Sequence, residues 1–491
     1  MAGRTLETLR FDNSYARLPD AFFARLNPTP FNSPPRLIHA NPAAAALIDL
    51  DPEQFARPEF AGTFGGSLLA PGMDPLAMLY AGHQFGVYVP QLGDGRAILL
   101  GEAVNERDGT WELHLKGAGM TPFSRDGDGR AVLRSTIREY LCGEAMHGLG
   151  IPTTRALCLV GSDDKVYREE VETGAMLLRM APSHVRFGTF EVLYYRKQYD
   201  LLRILADYVV DRHYSHLRGA TDAVARLFLE VVERTATLIA QWQAVGWAHG
   251  VMNTDNMSIL GITLDYGPFG FMDDYDAAFI CNHSDHNGRY AFNQQPYIGL
   301  WNLSCLAQTL LPLAPKEALK EALDRYTPIV ESEFRRRMRL KLGLRQERNG
   351  DDELIGELLA MLQESHADYT RLFRALGRFD SAPGAANESL REYFLDRDRF
   401  TAWAVRYRER LRDEGSADDD RRERMDRVNP CYVLRNYLAQ AAIEKAQRKD
   451  FSEVERLFDV LRDPYRERPG MEAYAAAPPN WGKHLAVSCS S

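Results

Sequence analysis

The sequence predicts an α+β protein, with a β-rich first portion holding one helix and a larger helical portion after it. Three observations predict this. Trp111-Glu112-Leu113-His114-Leu115-Lys116 alternates apolar and polar residues, the period of a half-buried strand. Val224, Leu227, Val231, Leu238, Ile239 and Trp242 form an apolar stripe at helical spacing. Strand-type segments concentrate before residue 185 and helix-type segments after it.

In chain order, residues 1–75 carry Pro28, Pro30, Pro34 and Pro35, which deny long regular elements. An irregular N-terminal extension with short helices, such as Ala43–Ile48, is expected there. Residues 76–184 form the β-rich portion. Phe85–Val89 and Ala97–Leu100 flank Gly93-Asp94-Gly95-Arg96, and Asp-Gly between β-type runs signals a hairpin. A helix follows over Arg130–Gly148, with Leu133, Ile137, Tyr140 and Leu141 on one face, and Gly148 and Gly150 end it. Strands are expected at Arg155–Gly161 and Gly174–Met180. Residues 185–360 begin the helical portion, and 361–491 continue it as a C-terminal helical extension with a cysteine-bearing tail. Helices are expected at Ala223–Gly246, Lys316–Tyr326, Glu331–Leu342, Asp352–Tyr369 and Tyr432–Lys449. The charge-dense run 412–427 reads as a solvated face or loop. Strands, one helix, more strands, then helices is the outline of a two-lobed protein-kinase-like fold.

Composition narrows the function classes. The 491 residues allow two to four structural units, and 45% hydrophobic with 26% charged residues is the balance of a globular chain. A formal charge of −9 argues against nonspecific nucleic-acid binding, which needs a basic field. The six cysteines make no CxxC pair and no zinc-type spacing, so a reducing compartment is expected. No apolar run reaches the ~18 residues of a membrane span, and Met1–Arg10 has no signal core. A cytoplasmic monomer is expected, with neither nucleic acid nor membrane as partner.

The residues that could carry chemistry fit the needs of ATP. A cation must meet the phosphates, hard oxygen ligands must fix Mg²⁺, and a carboxylate can take the proton of an attacking hydroxyl. Lys116 ends a strand, and the next helix offers Glu139 or Glu144 as its partner; periodicity does not choose between them. His249-Gly-Val-Met-Asn-Thr-Asp-Asn256 follows the long helix, and a short apolar stretch (Ile259, Leu260, Ile262, Leu264) leads to Asp265-Tyr266-Gly267. Kinases place their catalytic loop and metal-binding Asp-Phe-Gly in this order. A strand pair between Asn256 and Asp265 could return both to one metal. Gly93-Asp94-Gly95-Arg96 and Arg125-Asp126-Gly127-Asp128-Gly129-Arg130 offer backbone N–H groups and guanidinium to phosphate. Arg179 and Arg186 flank the junction of the two portions. His83 and His249 read as structural histidines, since there is no HExxH or Cys/His set.

Five motifs in order then become specific: Tyr80-Ala-Gly-His-Gln-Phe-Gly86, Gln91-Leu-Gly-Asp-Gly-Arg96, Leu115-Lys-Gly-Ala-Gly119, Arg125-Asp-Gly-Asp-Gly-Arg130 and His249–Asn256. Together they resemble the selenoprotein O family from about Leu9 to Ser491, with Cys489 at the place of that family's selenocysteine. The resemblance implies a kinase-like fold, formerly called a pseudokinase, that moves AMP from ATP to Ser, Thr or Tyr of proteins and releases pyrophosphate. It implies ATP bound flipped relative to kinases, with Mg²⁺ or Mn²⁺. By motif position Lys116 would contact phosphate and Glu139 would steady it. Asn256 and Asp265 would hold the metal, and Asp255 would accept the proton. Gly93, Gly95, Arg96, Asp128, Gly129, Arg179, Arg186 and Asp265 would line the nucleotide site. One departure from kinases stands out: five residues before Asn256 is Val251, which cannot act as a base. A tail thiol at Cys489 is also expected to pair reversibly with Cys281, sixteen residues after Asp265. Two rivals share these residues: a kinase transferring the γ-phosphate, and an inactive nucleotide-binding scaffold.

Overall fold

In the computed structural model, which describes residues 3–488, the strands up to residue 181 are β1 (Phe23–Arg25), β2 (Arg36–Ala40), β3 (Leu76–Met78), β4 (Gly82–Gln84), β5 (Val87–Val89), β6 (Ala97–Val104), β7 (Thr110–Lys116), β8 (Ala131–Val132), β9 (Arg155–Tyr167) and β10 (Val171–Ala181). Eight of them form one antiparallel sheet in the order β1-β3-β6-β7-β10-β9-β2, with β8 beside β10. The helices nearest the site are α1 (Pro42–Ala45), α2 (Pro58–Phe64), α3 (Leu133–Gly148), α4 (Phe187–Tyr195), α5 (Tyr199–His213), α6 (Ala223–Val245) and α7 (Gln295–Leu310). The rest of the chain to residue 461 is mainly helical.

The sheet is covered on both faces. Leu113, Leu115, Met176, Leu178 and Met180 meet Ala44, Ile48, Phe60 and Phe64 on the outer face. Ala175 and Leu177 meet Ile137, Leu141 and Ala145 of α3 on the inner face. The strand expected to be half-buried is therefore buried on both sides from Leu113 to Lys116. Residues 1–75 contain the short helices expected, with α1 and the turn after it spanning the Ala43–Ile48 segment, but they are not a separate extension: β1 and β2 end the sheet at its two edges, and α1 and α2 supply its outer layer.

Period-two alternation fixes which polar groups face inward. In β7, Glu112, His114 and Lys116 share the inner face; in β10, Leu177 and Arg179 do, through the pairs Leu177–Lys116 and Arg179–His114. The expected hairpin at Gly93-Asp94-Gly95-Arg96 is not formed. β5 pairs with β4, and the turn falls at Phe85-Gly86, where φ is 50° and 84°. Two left-handed residues give a two-residue turn whose twist suits antiparallel strands. This frees 91–96 as a loop, and buried Asp94 pins it by accepting from Met78 N (3.0 Å) and His114 Nε2 (3.0 Å).

Helix α3 starts later than expected because Ala131–Val132 pairs with β10. It is held from behind: Arg138 donates to Asn436 Oδ1 (3.1 Å), and Tyr140 stacks on Phe458 (5.6 Å between centroids). Helix α6 matches its apolar stripe and ends at Gly246, whose φ of 73° caps it. The charge-dense run contains a helix, Asp418–Asp426, rather than only a loop; its Arg421 is buried and donates to the Phe379 carbonyl. No helix among the described residues is long and apolar enough to cross a membrane.

Candidate active site

After α6 the chain forms β11 (Trp247–Ala248), a loop, and β12 (Gly270–Phe271), which pairs antiparallel with β11. The loop so closed carries Asn253, Asp255, Asn256 and Asp265 back toward the inner face of the sheet. Between Asn256 and Asp265 the expected strand pair reduces to one antiparallel bridge, Met257–Thr263. It is enough to turn the chain, because Met257, Ile259 and Leu264 are buried beneath it.

A cavity of about 500 Å³ lies between sheet and loop. Gly93, Gly95, Arg96, Lys116, Asp128, Gly129, Arg179, Arg186, Asp255, Asn256 and Asp265 all line it. Glu139 stands behind the wall on α3, where Lys116 Nζ donates to its Oε2 at 2.5 Å. Glu144, the alternative partner, instead takes Arg155 in a two-pronged pair at 2.8 Å and 2.8 Å. Arg179 reaches the other oxygen of Glu139 and also Asp265; Arg186 takes the second oxygen of Asp265 and donates to the Asp255 carbonyl at 2.7 Å.

Buried charge sets the protonation states. Burial pulls the Lys116 ammonium down to about 8, against the pull of Glu139. Burial alone would raise Asp265, but Arg179 and Arg186 hold its carboxyl well below the usual range. Glu139 is likewise lowered, because Arg179 and Lys116 outweigh its burial. Asp255 is different: burial, helped by the nearby Asp265 charge, raises it to about 7 against the pull of Gln84, Arg186 and a backbone N–H. Its Oδ2 accepts from Gln84 Nε2 at 3.1 Å, while Oδ1 is buried without a hydrogen-bond partner among the described residues.

The glycines allow close approach. At Gly93 (φ 114°) a Cβ would lie 2.7 Å from the Phe123 ring; at Gly129 (φ 69°) it would lie 2.1 Å from the Gly119 backbone. Asp128 meets Arg168 at 2.8 Å and accepts from Arg130 N at 2.9 Å. Arg168, Gln84 and Asn253 were not singled out individually in the sequence. Gln84 and Asn253 lie within quoted motifs, whereas Arg168 is brought in by the β9–β10 turn, which no spacing foretells. His249 is buried with its Nε2 near the Leu264 carbonyl (3.3 Å), a structural role. Cys281 is buried beneath Gly250, and the tail is held beside it where His283 N donates to Val487 O at 2.7 Å. Cys489 lies outside the described residues.

Among the described residues, seven cations line the cavity (Arg96, Lys116, Arg125, Arg130, Arg168, Arg179, Arg186) against four carboxylates (Asp94, Asp128, Asp255, Asp265). This excess suits a polyphosphate. Comparison with known proteins decides the family: residues 5–462 match the model for protein adenylyltransferase SelO. The chain belongs to the SelO family. It is 62% identical to a protein nucleotidyltransferase YdiU of Myxococcus xanthus, over 99% of this chain and 100% of the relative. It is 58% identical to one of Thioalkalivibrio sulfidiphilus, over 99% of each. With one of Pseudomonas fluorescens it shares 55%, over 99% of this chain and 100% of the relative. As a SelO member the chain is an enzyme, a nucleotidyltransferase.

The raised Asp255 carboxyl, at about 7, makes a proton-accepting role there testable by pH. A proton acceptor works as the carboxylate, so on that role kcat/KM is expected to rise with pH through a midpoint near 7. Asp255→Asn is expected to remove that limb and lower kcat by about a hundredfold. A pH–rate profile of both proteins checks it.

Proposed function

We propose that this chain transfers AMP from ATP to Ser, Thr or Tyr hydroxyls of proteins, releasing pyrophosphate, with Mg²⁺ or Mn²⁺, on a two-lobed kinase-like scaffold. One observation carries the reading: the cavity wall formed by β7, β10 and the start of α4 is buried, polar and cationic. Lys116, Arg179 and Arg186 are all buried there, beside His114 and Asp94. An adenine slot would be apolar. Buried guanidinium and ammonium groups suit the terminal phosphates, with the α-phosphorus left facing the incoming hydroxyl.

The residues then divide the work. Arg179 and Arg186, tied to Asp265 in the structure, turn to the phosphates when nucleotide enters. Glu139 holds Lys116 in place. Asn256 commits its amide nitrogen to the Val251 carbonyl (3.0 Å), which leaves its oxygen for a hard cation beside Asp265. These oxygen donors fit Mg²⁺ or Mn²⁺, and the bound ion would supply charge neutralisation on the phosphates. The acceptor oxygen bonds to the α-phosphorus, the bond from that phosphorus to the bridging oxygen breaks, and pyrophosphate departs. The hydroxyl proton passes to the Asp255 carboxylate.

ATP labelled at the α- or the γ-phosphorus tests this reading. Label is expected on acceptor protein only from the α position. Label arriving only from γ would make the enzyme a kinase instead.

A further inference from the structure

The Tyr80–Gly86 motif has a use beyond the cavity wall. The β4–β5 hairpin meets loop 253–256 at four consecutive residues. A Cβ at Gly82 would lie 2.6 Å from Asp255 Oδ1, so the backbone presses directly on that carboxylate. His83 N donates to Thr254 Oγ1 at 2.7 Å. Gln84 Nε2 donates to Asp255 Oδ2, and Phe85 N donates to Asn253 Oδ1 at 3.2 Å.

Below them lies Glu191 of α4, fully buried at 0% exposure. Its Oε2 accepts from Thr254 Oγ1 at 2.6 Å, and its Oε1 lies 2.7 Å from His83 Nδ1. Among the described residues no Lys or Arg pairs with it. A buried carboxylate without a cation is costly unless hydrogen bonds satisfy it. Here a hydroxyl and an imidazole do so, and both belong to the elements that enclose Asp255. The imidazole is fixed in turn by the edge of Trp301 (5.3 Å between centroids).

Cys305 brings a third ligand-type atom within 4.8 Å of His83 and Glu191, which raises a metal site as the alternative. The third donor argues against it: burial raises the Cys305 thiol to about 12, so it does not offer the thiolate that binds a metal, and Glu191 and His83 already find partners within the protein.

We infer that Glu191, Thr254 and His83 form a positioning unit that sets the Asp255 carboxylate toward the acceptor hydroxyl. Thr254 is its hinge pin. The hydroxyl gives its one proton to Glu191 and accepts from His83 N, so its rotamer is determined and the next residue is aimed. This rests on the reading of Asp255 as proton acceptor in AMP transfer. None of the three residues lines the nucleotide cavity, so their loss should touch turnover and not nucleotide affinity.

The test compares Thr254→Val, which keeps the shape and loses the hydroxyl, with Thr254→Ser, which keeps the hydroxyl. AMP transfer from α-labelled ATP to a serine-, threonine- and tyrosine-bearing peptide library is measured with the full chain and Mg²⁺. Thr254→Val is expected to lower kcat about tenfold or more with KM for ATP within about twofold, and Thr254→Ser to regain most of the rate. Thr254→Ala removes the same hydroxyl without adding bulk and gives the same split should the valine variant not fold. A kcat within about twofold of wild type in the hydroxyl-less variants overturns the inference, as does a serine variant no better than valine. If the wild-type chain itself moves no α-label, AMP transfer falls first and this inference with it, an outcome distinct from active wild type with indifferent variants.

Discussion

Asp265→Ala is expected to lower AMP transfer by about a thousandfold. The carboxylate does two things at once. In the proposed reaction it is a metal ligand, and in the structure it anchors both Arg179 and Arg186. Removing it takes away an oxygen donor and leaves two buried guanidinium groups without their shared anion. Those groups still favour phosphate, now without a competing carboxylate. ATP binding in the absence of divalent metal is therefore expected to persist or tighten while turnover collapses. Nucleotide-induced thermal shifts in chelator, set beside turnover in Mg²⁺, separate this result from unfolding. Unchanged turnover would show that Asp265 is not in the reacting centre.

Lys116→Met carries the second large effect, about a hundredfold in kcat/KM. The ammonium is buried and held by Glu139. A buried charge meets phosphate with little competition from water, so its loss costs more than that of an exposed lysine. Glu139 does not become an orphan, because Arg179 still meets its other oxygen. The variant is expected to melt close to wild type while its turnover falls, which steady-state kinetics and a melting curve together check. Turnover close to wild type would remove Lys116 from the account.

Much of this site was legible before the fold. Lys116 could be placed by alternation alone: it closes an apolar–polar run, and strand period puts it on one face with His114 and Glu112. Glu139 could not, because Glu139 and Glu144 both fit the helix; only packing shows that Arg155 claims Glu144. Gly93-Asp94-Gly95 misled as a hairpin signal. Asp-Gly marks a turn of some kind, but pairing depends on which strands are neighbours, and Phe85-Gly86 made the tighter turn. In the N-terminal 75 residues the short helix at Ala43–Ile48 was legible, but the two strands were not. The prolines there do prevent long elements, yet the strand Arg36–Ala40 pairs with β9, a partner more than a hundred residues away. Local pattern carries no trace of such a partner. The buried Glu191 was invisible for the same reason: a single glutamate in an apolar helix acquires meaning only when His83 and Thr254 arrive from elsewhere in the chain.

The central claim is the direction of the triphosphate, and a crystal structure with a non-hydrolysable ATP analogue and Mg²⁺ tests it most directly. The γ-phosphate is expected against Lys116, Arg179 and Arg186, with the α-phosphorus on the side of Asp255. A purine packed beside His114 and Asp94, with the phosphates directed out of the cavity, would contradict it.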